Sequence, residues 1–489
     1  MERDINKKSR IKHFITFVPL QAPEDLRLVA YRMPSKYSNG RDNITQESRF
    51  PMIALMRQLE NEGYLFDDNY SNWAQIKVTV IMSIGEPPDA DLYKDKNNRV
   101  KQNWNNSNIS KERTGLLNEL KNFGFIEEDE RQAEGLDHSR TYKVIRSTYD
   151  SSSRSLEDLY RSIQERIQPN SDVYADITFG EKPQTVALYQ NLSDIVTDSE
   201  DNIVLKSCIY GHYDFIEHGV GEIIELEPFI TEGGAITASD EEKIRIGYPE
   251  NNKEYTKHFI SLLPRDKYIQ PRLYRASDGT LLHYGNEDSA AIVNPVTLLM
   301  YAYTYKDEKI KITLIADDTN SMVPALEKYE EEIEAVKAQN GFTNDELTIN
   351  SGAVIPTAKI ANIESMRTLC KDLCNRINDW EEVFLDITFG AKPDTISIYA
   401  AVAEAMLRHG GRSRIEFCSY GYDPHISNVI EGEDNESAEF SNKCNDITLY
   451  ISRLIADFYL SRMNISNTKS IREIVMFGDD NDEQREQSF

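Results

Sequence analysis

Apolar residues along this chain gather in short runs, separated by stretches where they recur every three or four positions. FITFVPL at 14–20, IKVTVIM at 76–82, YKVIRST at 142–148, VYADITF at 173–179 and VLKSCIY at 204–210 are rich in β-branched and aromatic residues and predict five strands. SLEDLYRSIQERI at 155–167 has helical spacing instead. The alternation then returns. FISLLP at 259–264, IKITLIAD at 310–317, LTINSG at 347–352, VFLDITF at 383–389 and IEFCSY at 415–420 predict strands, and ESMRTLCKDLCNRI at 364–377 and ISIYAAVAEAMLRHG at 396–410 predict helices. Strands apolar on both sides, alternating with helices, predict an α/β fold with parallel-rich, doubly wound sheets.

The second set of elements repeats the first. DITFGEKPQT at 176–185 and DITFGAKPDT at 386–395 agree at eight of ten positions. KHFIT at 12–16 matches KHFIS at 257–261, and CIYGHYD at 208–214 stands opposite CSYGYDP at 418–424. Asp176 to Cys208 and Asp386 to Cys418 both span 32 residues, so the match runs without a gap. A chance decapeptide would not bring ordered neighbours with it, which predicts an internal duplication into two Rossmann-like halves about a pseudo-two-fold axis. The expected domains are 10–215 and 255–425, joined by a linker at 216–254. A polar, Asn-rich insertion at 92–115 interrupts the first copy. The run DITLYISRLIADFYLSRM at 446–463 predicts an amphipathic helix within a C-terminal helical extension, 426–475, and an acidic tail follows at 476–489.

Charge and composition narrow the function. The chain has 489 residues, a formal net charge of −27 and 39% hydrophobic residues, enough for packed cores. Such acidity excludes a broad nucleic-acid or anionic-membrane footprint, though not one anionic ligand in a locally positive pocket. No run approaches the roughly 18 apolar residues of a spanning helix, and MERDINKKSR lacks a signal-peptide core. With five scattered cysteines, this points to the cytoplasm. No metal or cofactor is expected. Cys370 and Cys374, spaced i, i+4 on a helix, lack a second Cys or His pair at metal spacing and fit buried thiols.

The repeated loop carries the candidate chemistry. In an open α/β sheet, ligands collect beyond the carboxyl ends of the strands. Gly180 and Gly390 permit a tight turn there, and Pro183 and Pro393 suit the first helical position. Free amides at a helix N-terminus, with Lys182 or Lys392 inside the turn, make an anion site suited to phosphate. The bland alternative is an ordinary strand-to-helix turn with a solvated lysine. Asp176 and Asp386 precede the turn and suit buried hydrogen bonding to the loop better than catalysis.

The duplicated Asp-Ile-Thr-x-Gly-x-Lys motif on a Rossmann-like sheet resembles the CARF domain of type III CRISPR antiviral defence, over about residues 10–215 and 255–425. The resemblance implies that the two copies bind one cyclic oligoadenylate, with the tetra-adenylate ring favoured over the hexa-adenylate. Thr178, Phe179, Gly180 and Glu181, and Thr388, Phe389, Gly390 and Ala391, would cradle its phosphates. The first-strand ends, Thr16 to Gln21 with Pro19 and Ser261 to Asp266 with Pro264, would form the facing wall. Two functions follow from it. One is a metal-independent ring nuclease, in which a ribose 2′-hydroxyl attacks the adjacent phosphorus. Lys182 and Lys392 would then stabilise phosphoryl charge, and Thr16 and Ser261 would orient the sugar-phosphate. The other is a non-catalytic sensor or sponge that signals through a partner. A second copy of the chain or an effector protein meeting the C-terminal helix are the partner candidates.

Overall fold

The structure, a computed structural model, describes residues 10–19, 28–33, 35–37, 47–65, 75–84, 115–129, 139–148, 153–197, 202–212, 220–226, 254–263, 272–276, 281–282, 291–292, 295–304, 308–317, 323–341, 347–357, 363–409, 413–422 and 446–452. In chain order the first half has β1 (Ile11–Phe17), β2 (Ala30–Arg32), α1 (Pro51–Asn61), β3 (Ile76–Ile84) and α2 (115–122). There follow β4 (Ile126–Glu127), β5 (Arg140–Thr148), α3 (Ser153–Arg166), β6 (Ser171–Asp176), α4 (Lys182–Thr197), β7 (Val204–His212) and β8 (Val220–Leu226). The second half has β9 (Thr256–Leu262), β10 (Arg272–Ala276), β11 (Leu281–Leu282), β12 (Ala291–Ile292), α5 (Val296–Tyr303) and β13 (Ile310–Asp317). It ends with α6 (Val323–Asn340), β14 (Leu347–Thr357), α7 (Ile363–Cys374), β15 (Glu381–Asp386), α8 (Lys392–Arg408), β16 (Arg414–Tyr422) and β17 (Asp446–Ser452).

Each half builds one sheet. The first runs β2-β8-β7-β6-β1-β3-β5-β4, and the path of the second runs β11-β10-β17-β16-β15-β9-β13-β14. From β7 through β5, and from β16 through β14, all neighbours are parallel. In each sheet two strands run against them: β8 beside β7 with β2 parallel to it, and β17 beside β16 with β10 parallel to it. In both orders the chain starts in the middle, at β1 or β9, and builds outward on either side. The β1/β6 and β9/β15 junctions are therefore switch points, the positions at which open α/β sheets bind ligands. Register places Thr16 opposite Asp176 and Ser261 opposite Asp386 at those ends.

The central strands are buried on both faces, as parallel strands covered by helices must be. Phe14 enters one core cluster while Ile15 and Phe17 enter another. Stacked rings recur at matched positions, Phe14 on Tyr174 at 4.7 Å and Phe259 on Phe384 at 4.6 Å. The largest cluster belongs to both halves. It joins Tyr160, Leu188 and Leu192 of the first to Leu369, Tyr399 and Val402 of the second, and α4 packs against α8. That packing brings the two loops ahead of these helices together.

Two expectations about the chain ends change. Asp446–Ser452 is a strand rather than the start of a helix, antiparallel to β16 and parallel to β10. Its apolar residues Ile447, Leu449 and Ile451 alternate with period two, and the open edge of β16 supplies the partner that a helix would lack. Likewise the linker at 216–254 contains β8, an integral strand of the first sheet. The rest of the C-terminal extension, the acidic tail and nearly all of the 92–115 insertion lie outside the described residues.

Candidate functional site

The last ladder bonds of β6 and β15 are made just past them, by the Ile177 amide to the Ile209 carbonyl at 3.0 Å and the Ile387 amide to the Ser419 carbonyl at 2.9 Å. Beyond them each chain turns on its aspartate. Asp176 Oδ1 accepts the Thr178 amide at 2.8 Å and the Thr178 hydroxyl at 2.5 Å, and that hydroxyl oxygen accepts the Gly211 amide at 2.7 Å. The Met52 amide, in the first turn of α1, also donates to Asp176. Asp386 Oδ1 accepts the hydroxyls of Thr388 at 2.6 Å and Ser419 at 2.9 Å, and its Oδ2 accepts Ser261 Oγ at 2.8 Å. Burial pushes both carboxyls up, and these donors pull them back. Each aspartate braces its loop, as buried carboxylates must where water is excluded.

The loop glycines are required twice over. Gly180 and Gly390 lie at φ of 86° and 84°, in the left-handed region. A Cβ on Gly180 would stand 2.6 Å from Phe17 Cδ1, and one on Gly390 2.7 Å from Leu262 Cδ1. The glycines thus let each loop press against the end of the first strand. The helices begin one residue earlier than expected, at Lys182 and Lys392, so Pro183 and Pro393 take the second helical position. Residues three on reach back to the cap: Gln184 Oε1 accepts the Glu181 amide at 3.2 Å, and Asp394 Oδ2 accepts the Ala391 amide at 3.3 Å.

The lysines cross from one half to the other. Lys182 Nζ donates to the carbonyls of Ile387, Thr388 and Phe389 at 2.7, 2.9 and 2.5 Å. Lys392 Nζ donates to the Thr178 carbonyl at 2.7 Å. Three N–H donors meet three carbonyls at Lys182, which uses the whole capacity of an ammonium group. The Tyr420 hydroxyl, from β16, donates to Glu181 Oε2 across the same junction. Burial draws the Lys182 ammonium down to about 7, with Asp386 opposing, while the three carbonyls favour its protonated form. Burial also lowers Lys392, against the pull of Glu181 and Asp176, and raises the Glu181 carboxyl to about 7.

No family model matches the chain, and no curated protein matches it either.

The structure brings Thr178, Glu181, Lys182, Thr388, Phe389 and Lys392 to one junction. Phe179 turns aside and meets Phe50 edge-on at 6.4 Å, whereas Phe389 is buried in the shared core. Thr16 and Ser261, 2% and 0% exposed, lie beneath the loops with their hydroxyls on Asp176 and Asp386 at 3.4 and 2.8 Å. They brace the aspartates and present no hydroxyl to a ligand in this arrangement. Pro19 lies buried two residues past the end of β1, and Pro264, Gln21 and Asp266 lie outside the described residues. Tyr420 escaped the sequence reading, although Tyr-Gly at 210–211 and 420–421 is part of the repeat. Among the described residues no group of three or more His, Cys, Asp or Glu side chains stands where it could hold a metal. No described helix is long and apolar enough to cross a membrane.

Proposed function

We propose that the chain is a tandem CARF-like protein, arisen by internal duplication, whose halves are related by a pseudo-two-fold axis and bind one cyclic oligoadenylate between their repeated loops. The observation that carries this reading is the meeting of the two Asp-Ile-Thr-Phe-Gly-x-Lys-Pro loops, 210 residues apart in sequence, with their lysines exchanged across the contact. The matching strand orders and the switch-point position of both loops support it. A ring with two-fold symmetry would meet two like loops, and its phosphate oxygens would replace carbonyls at the ammonium groups.

As an enzyme, the chain would hold a ribose in line with the neighbouring phosphorus. The 2′-oxygen would bond to phosphorus and lose its proton to water, the bond from phosphorus to the 5′-oxygen would break and that oxygen would take a proton from water, and the ring would open to a linear product with a 2′,3′-cyclic phosphate. The lysines would stabilise the phosphoryl oxygens. One observation favours the second reading, a sensor or sponge. The Thr16 and Ser261 hydroxyls and all three Lys182 donors are already engaged within the protein.

Purified protein incubated with cyclic tetra- and hexa-adenylate, with and without EDTA, tests both readings. A linear product with a 2′,3′-cyclic phosphate, formed equally in EDTA, is the enzymatic outcome. Intact ring retained by the protein is the sensor outcome. Absence of binding to either ring refutes the ligand assignment.

A further inference from the structure

The repeated loops are nearly identical, yet their lysines stand in different surroundings. Lys182 is saturated by three carbonyls of the opposite loop, and releasing it would strand all three above the buried Asp386. Lys392 holds one carbonyl, that of Thr178, and the leading opposite charge on it is Glu181. Glu181 is 8% exposed, its own amide is tied to Gln184, and its carboxylate is held by Tyr420 from the other half. In the second loop the matching residue is Ala391, so this counter-charge exists on one side only.

We infer that Glu181 is a built-in counter-ion of Lys392 that gives way to an incoming phosphate by accepting a proton on its carboxylate, so that anion binding at the loop pair takes up a proton. The inference rests on the reading that this junction receives a phosphate-bearing ligand. The groups facing Glu181 are Lys182 on its own helix, and Lys392 and Tyr420 from the other half. Asp386 and Asp394 act further on Lys182, and Asp176 on Lys392. A phosphate beside Lys392 sets two negative charges together where water is excluded, and like charges at close range favour protonation of the weaker acid. Glu181 is already most of the way there, because burial has raised its carboxyl to about 7.

Glu181→Gln keeps the shape and removes the charge. The probes are cyclic tetra-adenylate and inorganic tripolyphosphate, with affinity measured by calorimetry at pH 5.5 and pH 8 in buffers of different ionisation enthalpy. At pH 5.5 wild type and Glu181→Gln should bind alike, since Glu181 is protonated in both states. At pH 8 the variant should bind about tenfold more tightly, and wild type should take up close to one proton more than the variant does. Lys182 and Lys392, whose protonated forms Glu181 favours, titrate in both proteins, so the proton count is read as the difference between wild type and variant. Tyr420→Phe removes a donor that favours the carboxylate, so its proton uptake should begin at a higher pH than in wild type. A merely structural role for Glu181 would shift affinity equally at both pH values, and that result overturns the inference. So does equal proton uptake by wild type and variant, or failure of wild type to bind either probe. Tripolyphosphate binding with this signature, without ring binding, would uphold the inference and refute the cyclic oligoadenylate reading.

Discussion

Replacing Lys182 with Met asks how firmly the crossed lysines tie the halves together. Methionine keeps a long unbranched side chain and removes all three N–H donors. The carbonyls of Ile387, Thr388 and Phe389, at 2.7, 2.9 and 2.5 Å, then lose a charged donor at once, and Asp386 loses a neighbouring positive charge. Hydrogen bonds to charged groups contribute about 1.5–3 kcal/mol each. The sum is reduced by the hydration that the ammonium gives up on burial, the same effect that draws it down to about 7. A net loss of about 2–4 kcal/mol follows for Lys182→Met. Lys392→Met removes one bond, to Thr178 at 2.7 Å, and should lose about 1–2 kcal/mol. Urea unfolding followed by far-ultraviolet circular dichroism at pH 7 measures both. Because the largest core cluster spans the halves, the loss should appear as a lower midpoint of the main transition. A Lys182→Met protein as stable as Lys392→Met, or more so, would refute the assignment of Lys182 as the stronger tie.

Two further predictions concern the second half. Gly390→Ala combines a left-handed backbone, about 1–2 kcal/mol for a residue with a Cβ, with a contact at 2.7 Å on Leu262; chemical denaturation should show a loss of about 2–4 kcal/mol. At the other end of the second sheet, buried His258 donates from Nδ1 to Glu381 at 2.7 Å and accepts from the Thr313 hydroxyl at 2.8 Å, while Lys311 holds the other Glu381 oxygen at 2.8 Å. Burial alone would raise the Glu381 carboxyl, but His258 and Lys311 bring it from 4.5 down to about 2. A depressed carboxyl contributes stability above its unfolded value and loses it as pH falls through the folded one. Glu381→Gln should therefore lose up to about 3 kcal/mol at pH 7, and the difference should shrink between pH 4.5 and pH 2; a constant difference across that range contradicts the account.

Much of this molecule was legible along the chain. The ten strand runs and the helices between them lie where period and propensity put them, because those signals act between residues a few positions apart. Gly180 and Gly390 announced a turn, and Asp176 and Asp386 announced a buried brace, since the groups they serve are two residues away or at the neighbouring strand ends. The strand at Asp446–Ser452 was ambiguous, as a short apolar run fits either period until an open sheet edge claims it. The destination of the lysines had no local signal at all. Lys182 meets Ile387 across 205 residues and Tyr420 meets Glu181 across 239, contacts that exist only because α4 packs on α8 in a shared core. Chain order alone specifies two like loops, each running into a helix that begins with a lysine. Helix packing is what sends each lysine into the other loop and buries Glu181 against the Tyr420 hydroxyl of the second half. Side chains placed together by helix packing seek the nearest partners for their charge, and no chain neighbour specifies which those will be.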